Sequence, residues 1–193
     1  MKSLMQLALG SDWNNLPSAL QAHYLFESTA DQGYLDIEYP RFMQPYLTLL
    51  RKFGALVNRS GRNNSTVVEK CMEGDRHIWR RKITYADGQC IRFNSFWISA
   101  GGNQLIEFVN PLLGLQMAVN VSEGKLYYTG MKFIVKLGPV LLPIPEWLVL
   151  GHTTIVEEAI GEKHFVMDFR LTHPLLGEIF RYSGKFETVV ISS

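Results

Sequence analysis

From Thr66 onward, apolar side chains recur at every second position. Turn residues interrupt the alternation at intervals: Glu73-Gly74-Asp75, Ala86-Asp87-Gly88, Ala100-Gly101-Gly102-Asn103, Ser122-Glu123-Gly124 and Ile160-Gly161-Glu162. Period two sends successive side chains to opposite faces of a strand. Short Gly-containing turns join antiparallel neighbours rather than the two ends of a βαβ unit. A row of about eight to ten such strands twists and curls, so the pattern predicts a strongly curved sheet or partial barrel with one dry and one wet face.

Parity assigns the faces. Around Ala86-Asp87-Gly88, Trp79, Arg81 and Ile83 share the dry face with Ile91, Phe93, Ser95 and Trp97. Tyr127, Thr129, Met131, Phe133, Val135 and Leu137 form another inward set, and Phe165, Met167, Phe169 and Leu171 a third. The last set is Phe180, Tyr182, Gly184 and Phe186. The corner His173-Pro174-Leu175-Leu176-Gly177 joins these last two strands, with the His173 ring placed to cap the turn. If the two sets share a face, paired positions must sum to an odd number. A corner of about four residues then sets Phe169 opposite Phe180 and Asp168 opposite Arg181, the latter as an outward ion pair.

Before Thr66 the period is nearer 3.6. Pro17 marks the first turn of a helix carrying Leu20, Tyr24 and Phe26, and Pro45 opens a second from Met43 to Leu56 with Leu47, Leu50, Phe53 and Leu56 as its stripe. The expected class is therefore α+β, mostly β: two N-terminal helices, then an antiparallel meander. One domain spans 1–193, helical over about 12–57 and β over about 66–190. The net charge of +1, from 19 basic and 18 acidic residues, excludes a phosphate-binding surface as the main business, so no nucleic-acid partner is expected. Cys71 and Cys90 lie in strand-like segments without a CxxC motif or a His pair, and are expected to be buried free thiols. The start, Met1 to Gly10, imitates a secretory signal only faintly, because Gln6 interrupts its apolar run and no cleavage motif follows. A cytoplasmic location is expected, with no transmembrane segment.

One segment resists the pattern. Leu137 to Gly151 combines Pro139, Pro143 and Pro145 with Leu141, Leu142, Ile144, Trp147 and Leu148. Its prolines argue against a central strand, so it is expected to stay outside the sheet as a flap over an open end of the sheet, as a lid over an apolar ligand, or as a surface that meets a membrane or a partner.

Several motifs together resemble the bacterial family known as domain of unknown function 4166. They are Leu16-Pro17 with His23, the Trp79-x-Arg81 and Phe93-x-Ser95 strand pair, Leu142-Pro143-Ile144-Pro145, Phe165 to Phe169, His173-Pro174 with Gly177, and Arg181-Tyr182 with Gly184. The resemblance implies a domain found alone or behind a saccharopine-dehydrogenase-like, nicotinamide-nucleotide-binding domain, which would be a partner protein here. It implies no reaction and no catalytic residues.

Arg81 is the inward residue most in need of a partner, since an unpaired buried guanidinium is costly. Glu107 has the parity to meet it, with Glu157 second; otherwise Arg81 receives an acidic head group. The ligand-binding set read from the dry face is Arg81, Trp79, Phe93, Glu107, Phe133, Trp147, Phe169 and Tyr182. A ligand-binding barrel needs a pocket of roughly 300 Å³ or more. Glu157 and Glu158 point to opposite faces and form no carboxylate pair. His23 and His77 stand isolated in sequence, no metal spacing exists, and no cofactor is expected. The expected function is non-catalytic binding of an apolar or amphipathic small molecule. Its alternatives are a structural or interaction module acting with the dehydrogenase-like partner, and an enzyme whose residues carry no recognisable motif.

Overall fold

A single row of curled antiparallel strands leaves two raw edges unless its first and last members meet. In the computed structural model of this chain, which describes residues 2–26 and 28–191, they do meet. The strands are β1 (Thr29–Glu38), β2 (Gly61–Glu73), β3 (Arg76–Thr84), β4 (Cys90–Gly101), β5 (Gln104–Phe108), β6 (Leu113–Ser122), β7 (Lys125–Leu137), β8 (Val140–Ile144), β9 (His152–Ala159), β10 (His164–His173) and β11 (Gly177–Val190). Ten of them close an antiparallel barrel in the order β1 to β7, then β9, β10, β11 and back to β1. The expected class holds, and the partial barrel proves to be a closed one.

Strand β8 is the exception. The first half of β7 pairs with β9 and the second half with β8. The two are one strand position interrupted by an excursion over 145–151. Prolines were expected to keep this segment out of the sheet. Pro143 instead sits within β8, opposite Ile134, because β8 pairs on one side only and needs no second row of N–H donors.

Among the described residues three α-helices accompany the barrel: α1 (Leu4–Leu9), α2 (Ser18–His23) and α3 (Gln44–Lys52). The apolar start is α1, which buries Leu4, Met5 and Leu9. Gln6, the residue that spoils it as a signal, closes a capping box: Ser3 N donates to Gln6 Oε1 at 2.8 Å and Gln6 N to Ser3 Oγ at 3.3 Å. Pro17 is the N-cap of α2, and Tyr24 its C-cap. The region read as helical over 12–57 also contains β1. That strand escapes a hydrophobicity scan because its inward side begins Thr29, Asp31, Gly33 before reaching Leu35 and Ile37. Helix α3 is shorter than Met43 to Leu56; it buries Leu47 and leaves Phe53 exposed. Antiparallel geometry puts α1 and α2 at one end of the barrel, beside the β7 start and the β9 end, and α3 at the other.

Two registers differ from expectation. At Met131 a bulge in β7 drops one residue, so Met117 pairs Gly130 and Gln116 pairs Lys132. An extra residue reverses the inward parity: Leu126, Tyr128 and Gly130 face in before the bulge, Phe133 after it. Tyr127, Thr129 and Met131 do not share Phe133's side. In the closing hairpin the odd-sum rule holds, but Phe169 pairs with Tyr182 and Asp168 with Ser183. The corner is tighter, His173 pairing with Gly177, and a bulge at Ile179 restores the parity. Asp168 and Arg181 still share the outer face and join at 2.9 Å, diagonally. The His173 ring caps the corner, accepting from Leu175 N at 3.2 Å. Cys71 and Cys90 are free, but half-buried and exposed rather than buried. Among the described residues no helix is long and apolar enough to cross a membrane.

Candidate ligand site in the barrel lumen

Inward positions near the α2 end carry an unusual load of charge. Strand β1 contributes Asp31, β2 Lys70, β7 Tyr128 and β9 Glu157, and the end of α2 inserts His23 and Tyr24 among them. All six are almost fully buried. Burying charge demands pairing, and the cluster supplies it. Lys70 Nζ lies 2.7 Å from Asp31 Oδ2 and donates to the His23 carbonyl oxygen at 2.6 Å. Asp31 accepts also from Thr188 Oγ1 at 2.7 Å and lies 2.9 Å from His23 Nδ1. Burial alone would raise the Asp31 carboxyl, but His23 and Lys70 hold it at about 2. Burial lowers Lys70, and Asp31 opposes that.

Glu157 has no such cation beside it. Tyr24 Oη donates to both its oxygens at 2.8 Å, and Tyr128 Oη in turn donates to Tyr24 Oη. Burial pushes Glu157 up to about 8, against the Tyr24 hydrogen bond and the charge of Lys70. Burial thus favours its neutral form. Burial likewise lowers His23 to about 4, so its ring is neutral. Among the described residues its Nε2 has no hydrogen-bond partner; it lies 3.8 Å from Glu157 Oε1.

Further along the lumen, Arg81 Nη2 meets Glu107 Oε1 at 3.0 Å, and Ser95 Oγ bridges them, 2.7 Å from Arg81 Nη1 and 2.6 Å from Glu107 Oε1. The first-choice partner of Arg81 is the one found. Trp79 and Phe93 lie over the guanidinium at 5.0 and 5.2 Å. Trp79 stacks on Trp97 at 5.0 Å, and neither indole N–H has a partner among the described residues.

Two chambers remain unfilled. The one toward α2, about 70 Å³, is lined by His23, Tyr24, Glu157, Trp79, Trp97 and Tyr128 among others. The apolar one, about 130 Å³, lies toward α3 between Phe133, Ile144, Val149, Leu150 and Phe169. Leu56, Phe93, Glu107 and Tyr182 line both. A larger hollow of about 620 Å³ lies on the outer face among Asp36, Asp168, Arg181 and Lys185, where Asp168 and Arg181 already satisfy each other.

Of the residues singled out from sequence, Arg81, Trp79, Phe93, Glu107, Phe133, Phe169 and Tyr182 line these chambers. Trp147 does not. It is 58% exposed, and Leu141, Leu142 and Leu148 are exposed with it. Ile144 at the end of β8, with Val149 and Leu150 of the excursion, covers the apolar chamber instead. Its anchor is Glu146, which accepts from Thr153 N at 3.1 Å and meets His152 Nδ1 at 2.8 Å. Sequence reasoning passed over Asp31, Lys70 and Tyr128, and treated His23 as isolated. Lys70 alone was within reach, since it shares parity with Thr66 and Val68. Among the described residues no three His, Cys, Asp or Glu side chains gather as metal ligands.

Fold and lumen together define a closed ten-stranded antiparallel barrel with helical caps and a buried acid–base cluster at one end. The chain belongs to the family described as domain of unknown function (DUF4166), whose pattern matches residues 16–186. No curated protein matches it. A crystal structure of a protein with unknown function from the DUF3598 family of Nostoc punctiforme covers 98% of this chain and 100% of its own, at 10% identity and a TM-score of 0.17; that likeness carries no argument.

Proposed function

We propose that the barrel binds a small neutral molecule, apolar over most of its surface, with a hydrogen-bond acceptor at one end. The supporting observation is that Trp79, Trp97 and His23, residues lining the chamber toward α2, each keep a buried side-chain nitrogen with no hydrogen-bond partner among the described residues. A core built only to be filled would place apolar atoms there, because each buried polar group left unpaired costs about 1–3 kcal/mol. An acceptor atom satisfies the indoles, and the wall of Phe93 and Tyr182 receives the apolar remainder. The expected pocket of roughly 300 Å³ is not found in the lumen, and each chamber alone is smaller than the about 150 Å³ that holds benzene, so a single ring is admitted only if the residues lining both chambers, Leu56, Phe93, Glu107 and Tyr182, move aside. Long acyl chains are excluded without rearrangement.

Native mass spectrometry of gently purified protein tests this. A retained species of low mass, released on denaturation and returning on dialysis against the same compound, is the expected result. An apo mass alone, with no melting-temperature shift from small cyclic ketones or phenols at millimolar concentration, removes the proposal.

A second reading rests on a different feature. Val140, Leu141, Leu142, Trp147 and Leu148 are all exposed on β8 and the turn after it, and β8 leaves one edge unpaired. Such an edge suits a partner protein, in line with the nicotinamide-nucleotide-binding partner implied by the family resemblance.

A further inference from the structure

Exposed apolar side chains crowd the α3 end of the barrel. The β7–β8 hairpin carries Leu137, Val140, Leu141 and Leu142, and the turn after it Trp147 and Leu148, all exposed. Neighbouring turns at that end add Leu112, just before β6, and Leu175 with Leu176 in the β10–β11 corner. Lys136 N donates to the Leu112 carbonyl oxygen at 2.7 Å, which ties the hairpin to the first of these turns. Gly138-Pro139 closes the hairpin, with Gly138 at the positive φ, 61°, that a two-residue turn of this kind takes at its first position. Paired residues share a face. Leu137 pairs with Val140, Lys136 with Leu141 and Val135 with Leu142, so Leu137, Val140 and Leu142 lie on one face and Leu141 on the other. Every residue from Lys136 to Pro143 is exposed. The hairpin therefore stands out beyond the barrel wall and is apolar on both sides.

Charge is sorted between the two ends as well. In the connections at the α3 end, Asp87 meets Arg59 and Glu146 meets His152. Arg41, Arg51, Lys52 and Lys136 have no ionic partner among the described residues, so the unmatched charge there is basic. The turns at the other end mix Asp75, Glu123 and Glu162 with Arg76 and Lys163. The whole chain carries only +1, so the basic excess belongs to one end of the molecule. We propose that the α3 end docks on an anionic lipid surface, with the 136–143 hairpin entering the headgroup layer and the basic side chains meeting phosphates around it. A flat protein surface covers one face of a hairpin. Lipid closes around both, and so removes both apolar faces from water. Trp147 supplies the amphipathic ring that the membrane interface favours. Arg51, Lys52 and Lys136 lay their stems along apolar surface and keep their charges at the level of the phosphates. Pro143 carries no N–H, so the free edge of β8 leaves one donor fewer unpaired in an apolar medium. This docking is independent of what the lumen binds, and it gives the exposed residues of β8 to lipid rather than to a partner protein.

The test is co-sedimentation of the full chain with vesicles of phosphatidylcholine alone, and with vesicles that also hold about 30% phosphatidylserine. Wild type should partition onto the anionic vesicles at least about tenfold more strongly than onto the neutral ones. Salt at about 0.5 M should remove most of that difference. Lys52→Gln and Lys136→Gln should each weaken binding to the anionic vesicles about fivefold and leave binding to the neutral ones unchanged. Leu137→Asn combined with Leu141→Asn should weaken binding to the anionic vesicles about tenfold or more. All four positions are exposed, so the urea midpoints of these variants should stay those of wild type. Tryptophan emission should shift to the blue on the anionic vesicles, and Trp147→Phe should lose that shift while still sedimenting, since Trp79 and Trp97 are already buried. No sedimentation with either vesicle overturns the proposal. Full sedimentation of the leucine variant overturns it too, because a basic patch alone then explains the binding. Bound protein with unshifted emission does the same, by placing Trp147 away from the lipid. A dimer in gel filtration that the leucine variant returns to monomer, without vesicle binding, gives the surface to a second copy of this chain instead.

Discussion

Glu157→Gln is the sharpest probe of the buried cluster's energetics. Burial raises the Glu157 carboxyl from 4.5 to about 8 in the folded chain. Between those values the folded state holds a proton that the unfolded state has lost. Folding is then favoured at low pH, and the contribution drains away as pH rises through the folded pKa. His23 and His77 act in the opposite sense. Lowered from 6.5 to about 4 and about 3, they add stability as pH rises, but that gain is complete by about pH 6.5. Asp31, at about 2 in the fold, is spent below pH 4. Lys70, lowered by burial, adds stability with pH between its folded value and 10.5. The cleanest quantity is therefore the difference between wild type and variant, in which the shared groups cancel. One pKa unit is about 1.4 kcal/mol, so from pH 6.5 to 8 wild type should lose about 1.5–2 kcal/mol relative to Glu157→Gln. Urea unfolding at three pH values in that window measures it directly. Parallel curves would mean that the Glu157 carboxyl is not raised in the folded protein.

Three other substitutions separate the parts of the barrel. Arg81→Met strands the Glu107 carboxylate in the lumen and should cost about 3–5 kcal/mol, most of it recovered when Glu107 is made apolar too; a neutral result in urea unfolding would place the guanidinium in solvent. Gly130→Ala puts a methyl group where the Glu146 carboxylate lies, so the Thr153 N–H loses its acceptor at about 1–3 kcal/mol, and limited proteolysis should cut the 145–151 excursion faster; unchanged stability and cleavage would show that Glu146 is not its anchor. Trp147→Ala should change stability by less than about 0.5 kcal/mol, as an exposed side chain does, and should leave ligand-induced fluorescence changes intact, since Trp79 and Trp97 line the chamber; loss of the signal would return Trp147 to the lid role.

Local pattern determined a good part of this protein. Alternation and turn residues from Thr66 onward require antiparallel hairpins, and parity alone places Trp79, Arg81, Phe93, Glu107, Phe169 and Tyr182 inside, because the side-chain period of a strand is a local property. It also required Asp168 and Arg181 to share the outer face in any register whose paired positions sum to an odd number. What a local pattern does not contain is the count of residues between paired strands. The bulge at Met131 moved Tyr128 inward and Tyr127 outward, and the tighter corner at His173 shifted the closing hairpin. Strand β1 was hidden because its inward side begins with Thr29 and Asp31, residues that a burial pattern assigns to solvent until Lys70, His23 and Thr188 are brought to meet them. Those partners come from β2, α2 and β11, far apart in sequence, and only closure of the barrel makes their pairing repay the desolvation of each charge. The same closure decides that Glu157 is left without a cation, and that Pro143 can lie in a strand with one neighbour.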